Sequence, residues 1–307
     1  MTDLVTGAGG FAGRALVEHL VELGRDVVAW ARFPDEGLEG LLGADRVHAF
    51  DLVEPGVLER ELAELAPKRV FHLAAIASPR DAARAPDAAR AVNVEVTRRL
   101  VRGAPAGSRF LLASTAAVYA PKATPIEETD PLDPRGAYAC SKAEAERAVL
   151  AERQRGVHVL VARAFNHSGP GQSGDYALPS FARRLARAAV DGGEIPVGDL
   201  DVVRDFMHVR DTVRAYATIA DRAESGAIVN VCSGVGVTMR RLFEGLARRL
   251  APDAVQRAVV DPALVSPDQP RSVVGCPKRL EILPFAPEFD LEELLDGVAG
   301  DCCAKPR

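Results

Sequence analysis

Short, continuous apolar runs alternate with amphipathic stretches along the first half of the chain. The runs at 3–6, 26–30, 47–50, 69–73, 109–113 and 157–162 predict buried strands. Between them, apolar residues recurring every three or four positions predict helices at 11–23, 57–65, 87–103 and 138–155. In the first of these, Ala12, Ala15, Leu16, Leu20 and Leu23 share one side, and Gly24 stops the helix. Strands without polar alternation are buried on both faces, and strands separated by helices pair in parallel through right-handed crossovers. The pattern therefore predicts an α/β fold, a Rossmann-type doubly wound parallel sheet.

After Ala164 the rhythm changes. Glycine and proline crowd 169–174, a basic helix spans about 179–190, and 196–204 reads as a loop with a short strand. Helix, strand and helix resume at 211–221, 227–231 and 239–250, and seven prolines break the stretch from Pro252 to Pro287. The expected division is a dinucleotide-binding domain over 1–165, rejoined at about 208–232, and a smaller, discontinuous C-terminal substrate-binding lobe over 166–207 and 233–307.

Composition narrows the function. The 307 residues carry 38 Lys and Arg against 43 Asp and Glu, a net charge of −5, which argues against an electrostatic grip on nucleic acid. No run approaches the ~18 apolar residues of a membrane span, and no signal peptide precedes the glycine loop at Gly7. The five cysteines, Cys140, Cys232, Cys276, Cys302 and Cys303, are scattered and match no metal-ligand or disulfide spacing. No metal site is expected. Cys302 and Cys303 read as exposed thiols in a frayed tail, and the setting reads as cytoplasmic. Only five of the 38 basic residues are lysines, so a lysine beside a chemically suggestive group carries extra weight.

The segment Gly7-Ala8-Gly9-Gly10-Phe11-Ala12-Gly13 lies between the first strand and the first helix. Gly7 permits the tight turn, Gly10 lets backbone approach a pyrophosphate, and Gly13 lets the helix pack on the sheet; Phe11 and Ala12 open that helix. A helix N-terminus offers unpaired N–H groups and a positive dipole end to phosphates. The second strand ends Trp30-Ala31-Arg32, without the carboxylate that takes the ribose hydroxyls of NAD. Arg32 either holds a 2′-phosphate or is a solvated surface residue. NADP(H) is favoured, and NAD(H) stays open.

Tyr138 and Lys142 stand four residues apart at the head of a helix, hence on one face. A phenol titrates near 10, and a neighbouring ammonium favours its ionised form, so the pair is expected to bring Tyr138 into the range of proton transfer. The preceding strand ends Ala113-Ser114-Thr115 at the sheet edge where ligands bind. Ala113 would border the cofactor there. Thr115 would orient the reacting oxygen toward Tyr138, with Ser114 as the alternative.

Together these elements resemble the extended short-chain dehydrogenase/reductase family, in its nucleotide-sugar branch, over nearly the whole chain. The resemblance implies adenine contacts from Asp51 and Leu52, a nicotinamide-side wall from Leu73, Ala74 and Ala75, and a cofactor-side role for Asn93. Arg163-Ala164-Phe165-Asn166-His167-Ser168-Gly169-Pro170 looks like the Phe-Asn-His-x-Gly-Pro run of GDP-mannose 4,6-dehydratases and GDP-4-keto-6-deoxy-D-mannose reductases. By that likeness Asn166 lies near the sugar diphosphate and Arg204 pairs with it; His167 and His208 read as packing or loop-ordering residues with no catalytic role. Ser266-Pro267-Asp268-Gln269-Pro270-Arg271 resembles the family's Arg-Pro-x-Asp segment without its leading arginine, and Arg271 stands in from another direction. Ala120 also replaces the family's usual glycine.

The dehydratases carry an acidic base directly after the Ser/Thr of the strand end; here those positions are Ala116 and Ala117. The resemblance thus implies an NAD(P)H-dependent 4-ketoreductase of an NDP-4-keto-6-deoxyhexose, GDP-linked or dTDP-linked. The alternatives are an NDP-sugar 4-epimerase with retained NAD and a catalytically silent dinucleotide sensor. Family members often form homodimers through two helices per subunit, here those near 87–103 and 138–155.

Overall fold

The structure, a computed structural model, describes residues 1–265 and 269–304. The first half runs β1 (Thr2–Thr6), α1 (Phe11–Glu22), β2 (Asp26–Ala31), α2 (Glu36–Leu42), β3 (Val47–Ala49), α3 (Val57–Leu65), β4 (Arg69–His72), α4 (Pro79–Arg84), α5 (Pro86–Arg90), α6 (Thr97–Gly103) and β5 (Arg109–Thr115). It continues through α7 (Gly136–Ala151), β6 (His158–Ala164), β7 (Asn166–Ser168), α8 (Ala177–Asp191), β8 (Ile195–Val197), β9 (Val203–His208) and α9 (Val209–Arg222). The remainder is β10 (Ile228–Val231), β11 (Gly236–Thr238), α10 (Met239–Leu250), β12 (Ala258–Val260), β13 (Ser272–Val273), α11 (Lys278–Ile282) and α12 (Leu291–Ala304).

Seven strands form one sheet in the order β10-β6-β5-β4-β1-β2-β3, and every neighbouring pair is parallel. Its strands are apolar on both faces because each face is covered. Val5, Phe71, Leu111 and Leu160 pack with Leu16, Leu20 and Val213 on one side. Leu4, Val70, Phe110 and Val159 pack with Leu58, Leu62, Leu100 and Val149 on the other. Burying each such side chain contributes roughly 1.5–3 kcal/mol. The chain reverses direction across the sheet between β1 and β4, and a crevice opens there at the carboxyl ends of the strands.

A second apolar core joins α8, α10 and α12 around Leu185, Phe181, Phe243, Leu246, Leu294 and Leu295. Two small sheets border it: β11-β9-β13, with β7 also paired to β9, and the parallel pair β8-β12.

Three differences from the sequence pattern have local causes. The 87–103 segment is not one helix: α5 and α6 flank a π-helical turn at Ala91–Val96. Helices α2 and α4 leave no clear periodic pattern in the sequence because both are short, and α2 carries two glycines in seven residues. Cys302 and Cys303 do not lie in a frayed tail but on α12, which buries Leu294, Leu295, Val298 and Ala299. Cys302 is half-buried on that helix and Cys303 is exposed. Among the described residues, no helix is long and apolar enough to cross a membrane, and no acidic, His and Cys cluster has the makings of a metal site.

Candidate active site

Gly7 takes φ +71, and a Cβ there would lie 2.6 Å from the Ala74 nitrogen. A Cβ on Gly13 would lie 2.0 Å from the Gly7 carbonyl oxygen. The turn therefore packs flush against the β4 edge and the first turn of α1, which only glycine allows. Gly10 caps α1 without a side-chain bond, and no acidic residue occupies the first turn. The leading N–H groups and the positive dipole end consequently face outward, ready for an anion.

They face a cleft of about 1340 Å³. Gly7, Gly10, Phe11, Ala12 and Gly13 line it together with Arg32, Asp51, Leu52, Leu73, Ala74, Ala75 and Ala113. Thr115, Tyr138, Lys142 and Asn166 line it further along. Its lining, from a glycine cradle to a phenol–lysine pair, suits a bound dinucleotide.

At the ribose end the structure adds a residue that sequence inspection missed. Asp35 lies four residues past the end of β2, yet its chain folds back so that Oδ2 comes within 3.5 Å of a Cβ placed on Gly9. It caps α2 by accepting the Leu38 N–H at 3.1 Å, and Arg14 donates to both of its oxygens at 2.6 and 2.5 Å. Burial pushes this carboxyl up, but the Arg14 guanidinium and the Leu38 amide outweigh it and hold it below the usual carboxylate range. The strand end lacks an acid, but the pocket does not. Arg32 is exposed, 3.2 Å from Asp51, with its guanidinium 5.4 Å from the Phe33 ring centroid.

Asn93 stands outside this cleft. Its Oδ1 accepts from the Ile76 N–H at 2.8 Å, and its Nδ2 donates to the Ile76 carbonyl at 3.2 Å and to Ser141 Oγ at 2.9 Å. It clamps the loop after β4 to α7 from behind, because the π-helical turn directs it inward. Beneath it, Thr97 Oγ1 donates to the Asn93 carbonyl, so His72 Nε2 donates to Thr97 and His72 Nδ1 accepts from Thr6. Burial, with the Lys142 charge adding to it, pulls His72 down to about 3. The ring is a neutral spacer between β1, β4 and α6.

Tyr138 is half-buried on the first turn of α7, and its hydroxyl is hydrogen-bonded to Thr115. Burial pushes the phenol up to about 12, with the Thr115 bond acting the other way. The lowering expected from the lysine is not seen: burial sets the direction, the nearby Tyr176 adds to it, and only the Thr115 bond opposes it. Tyr138 is therefore protonated at neutral pH. Lys142 is buried, and desolvation brings it down to about 8 against the opposing charge of Glu146. Thr115 Oγ1 also accepts the Ala117 N–H at 3.2 Å. Ser114 Oγ turns away to donate to Glu146, so Thr115 is the hydroxyl that meets Tyr138. Tyr176, before α8, lines the same cleft and faces Tyr138 and Asp81; it was not singled out in the sequence because its neighbours form no pattern.

Beyond Tyr138, Asn166 and Phe206 border both this cleft and a second cavity of about 370 Å³, which Arg204 lines. Arg204 donates to the Val203 and Pro270 carbonyls at 2.8 and 3.0 Å, which fixes its guanidinium. Arg271 lines neither cavity; it is exposed and reaches Asp199 at 3.2 Å. Ser266, Pro267 and Asp268 lie outside the described residues. His167 stacks near Phe11 with 6.1 Å between centroids, and His208 stacks on Phe289 at 4.3 Å while capping α9. Ala116 and Ala117 leave the position beside Thr115 without a carboxylate.

The sequence pattern described as the NAD dependent epimerase/dehydratase family matches residues 4–232. The chain is 35% identical over 316 residues to the GDP-6-deoxy-D-mannose reductase of Pseudomonas aeruginosa, covering 99% of this chain and 97% of that protein. It is 31% identical over 314 residues to the UDP-glucose 4-epimerase of Mycolicibacterium smegmatis, covering 95% and 96%. The solved structure of RMD from Pseudomonas aeruginosa complexed with NADPH superposes with a TM-score of 0.83 at 32% identity, covering 98% of both chains.

Proposed function

Because the chain belongs to the NAD dependent epimerase/dehydratase family, we propose that it is an NAD(P)H-dependent 4-ketoreductase of an NDP-4-keto-6-deoxyhexose, GDP-linked by preference. The observation that carries this reading is the pairing of a protonated Tyr138 with Thr115 at the end of a dinucleotide cleft, beside alanines at 116 and 117. A donor for the C4 oxygen is in place, and no carboxylate follows Thr115 to remove a C5 proton. The Pseudomonas aeruginosa reductase, similar over almost the full length, supports the same chemistry.

The reduced nicotinamide, when bound, supplies the hydride to C4. Thr115 orients the carbonyl oxygen, and Tyr138 gives that oxygen its proton, so that the ketone becomes an alcohol and the phenolate is re-protonated from solvent. Lys142 holds the nicotinamide ribose and offsets the charge left on Tyr138. Arg204 pairs with the substrate diphosphate, a role suited to a fixed, half-buried guanidinium, and Asn166 sits between sugar and diphosphate. The homodimer packed through the helices of 87–103 and α7, and a cytoplasmic setting, belong to the same reading.

Mixing the protein with NADPH and GDP-4-keto-6-deoxymannose is expected to remove reduced-nicotinamide absorbance in proportion to the sugar added. No loss, with NAD found bound in the purified protein, would instead indicate a 4-epimerase. Asp35 is the feature that favours that second reading, since a carboxylate by the glycine loop suits the ribose hydroxyls of NAD.

Arg32→Ala separates the cofactors. A charge-assisted contact to a 2′-phosphate contributes about 1.5–3 kcal/mol, so KM for NADPH should rise roughly 10- to 100-fold while KM for NADH stays within about twofold. Equal effects on the two cofactors would remove Arg32 from 2′-phosphate recognition.

A further inference from the structure

Directly behind the proton-transfer groups lies a buried charge that the mechanism above does not use. Glu146 follows Lys142 by one helical turn on α7 and is 2% exposed. From β6, Arg163 reaches it with Nη2–Oε2 at 2.7 Å and Nε–Oε1 at 3.1 Å, and both side chains of the pair are 3% exposed. From the end of β5, Ser114 Oγ donates to the same carboxylate. The Arg163 guanidinium also stands 4.7 Å from the Tyr119 ring centroid, and Tyr119 donates to Asn230 at 2.6 Å. The carboxylate thus joins α7, β5 and β6 at one buried point, and Ser114 immediately precedes Thr115.

Packing alone would be served as well by apolar side chains, which cost no desolvation. A carboxylate at this point does two further things. It anchors the strand end that presents Thr115 to the helix that presents Tyr138. It also places a negative charge near Lys142, which is buried and has no ion pair within 4 Å among the described residues. The other titratable groups facing Lys142 are His72 from β4, which is neutral, and Tyr138 on its own helix, which is protonated. Arg163 is spent on Glu146. We propose that Glu146 is a positioning residue for the transfer, setting Thr115 against Tyr138 and keeping Lys142 in its charged form. The inference rests on the roles given to Thr115, Tyr138 and Lys142 above.

The test follows NADPH affinity, by the fluorescence of the reduced cofactor, across pH. Desolvation brings Lys142 to about 8, with Glu146 raising it, so wild-type affinity should hold below that pH and weaken above it as the ammonium is lost. Glu146→Gln removes the raising influence, and the break should move down by about one pH unit. Glu146→Asp keeps the charge and should keep the wild-type break. Ser114→Ala leaves charge and ion pair intact; its break should stay in place while kcat with GDP-4-keto-6-deoxymannose falls about tenfold through the loosened Thr115.

Thermal melting checks each variant for folding. If Glu146→Gln leaves Arg163 unpaired and fails to fold, the double variant Glu146→Gln/Arg163→Met removes both charges and should still show the lowered break. A folded Glu146→Gln or double variant with the wild-type break overturns the electrostatic role, as does a Glu146→Asp break displaced as far as that of Gln. An unchanged kcat in Ser114→Ala overturns the anchoring role. Because the break is read with NADPH alone, a protein that binds NADPH but leaves the keto sugar untouched would count against the ketoreductase reading and not against Glu146.

Discussion

Tyr138→Phe is expected to lower kcat for reduction of the keto sugar by about 10²- to 10⁴-fold, the usual contribution of a positioned general acid, with Kd for NADPH within about twofold of wild type. The substitution removes one oxygen and nothing else. The ring remains on the first turn of α7, lining the same cleft, and the glycine cradle, Arg32 and Lys142 keep their places. The C4 oxygen then loses its donor, and Thr115 alone has to steady it. A phenol held at about 12 by burial carries its proton throughout the neutral range, so in the wild type the rate of reduction should not fall from loss of that proton as pH rises toward 8. Steady-state kinetics with NADPH and GDP-4-keto-6-deoxymannose, beside a cofactor titration, checks both halves. A Phe variant retaining more than about a tenth of the rate would move the proton to another group, and Tyr176, across the cleft, would be the first to examine.

That Tyr138 is protonated rather than poised to ionise was beyond the reach of the sequence. The spacing of Tyr138 and Lys142 is local and legible: four residues on a helix bring two side chains onto one face. The surroundings of the phenol include Tyr176, just before α8, and Tyr216 on α9, which come to the cleft from distant positions. The same division runs through the site. The glycine loop is contiguous and its geometry follows from its residues. Asp35 reaches the loop only because α2 turns back over it, and Glu146 matters only because β5 and β6 bring Ser114 and Arg163 beneath it. Asn93 shows the converse: its position was legible, but a π-helical turn sends its side chain behind the cleft.

The fold itself was legible where burial was complete. Strands β1, β4, β5 and β6 are apolar runs because both faces of a parallel sheet are covered, and they appear within one or two residues of the expected bounds. Helix α12 escaped for a physical reason. Its sequence Leu-Glu-Glu-Leu-Leu-Asp-Gly-Val-Ala-Gly-Asp-Cys-Cys-Ala carries two glycines and a weak apolar stripe, and is helical because α8 and α10 supply a surface for Leu294, Leu295 and Val298. Tertiary packing, rather than propensity, stabilises it.

Gly13→Ala is the substitution expected to do most damage to cofactor binding. In an ordinary helix this change would stabilise by up to about 1 kcal/mol. Here the added Cβ would lie 2.0 Å from the Gly7 carbonyl oxygen, 2.8 Å from the Gly7 carbonyl carbon and 2.9 Å from Ala8 Cα, all backbone that has no flexible end to yield. Either α1 lifts from the sheet, disturbing Leu16, Val17 and Leu20 in the core, or the loop opens and its N–H groups leave the pyrophosphate. Overpacking of this kind costs roughly 1–3 kcal/mol, which outweighs the gain in propensity, and misdirected phosphate donors should weaken NADPH more than about 100-fold. Gly10→Ala is the informative companion. Its Cβ meets only the Gly7 carbonyl oxygen, at 3.2 Å, so it can be relieved by a shift of a few tenths of an ångström and should cost less than about tenfold. Titration of cofactor fluorescence with thermal melts of both variants measures the contrast. Equal losses at the two positions would mean that occlusion of the pyrophosphate, not the seating of α1 on the loop, governs binding; a Gly13→Ala protein binding NADPH within about threefold of wild type would show that the loop does not hold the cofactor.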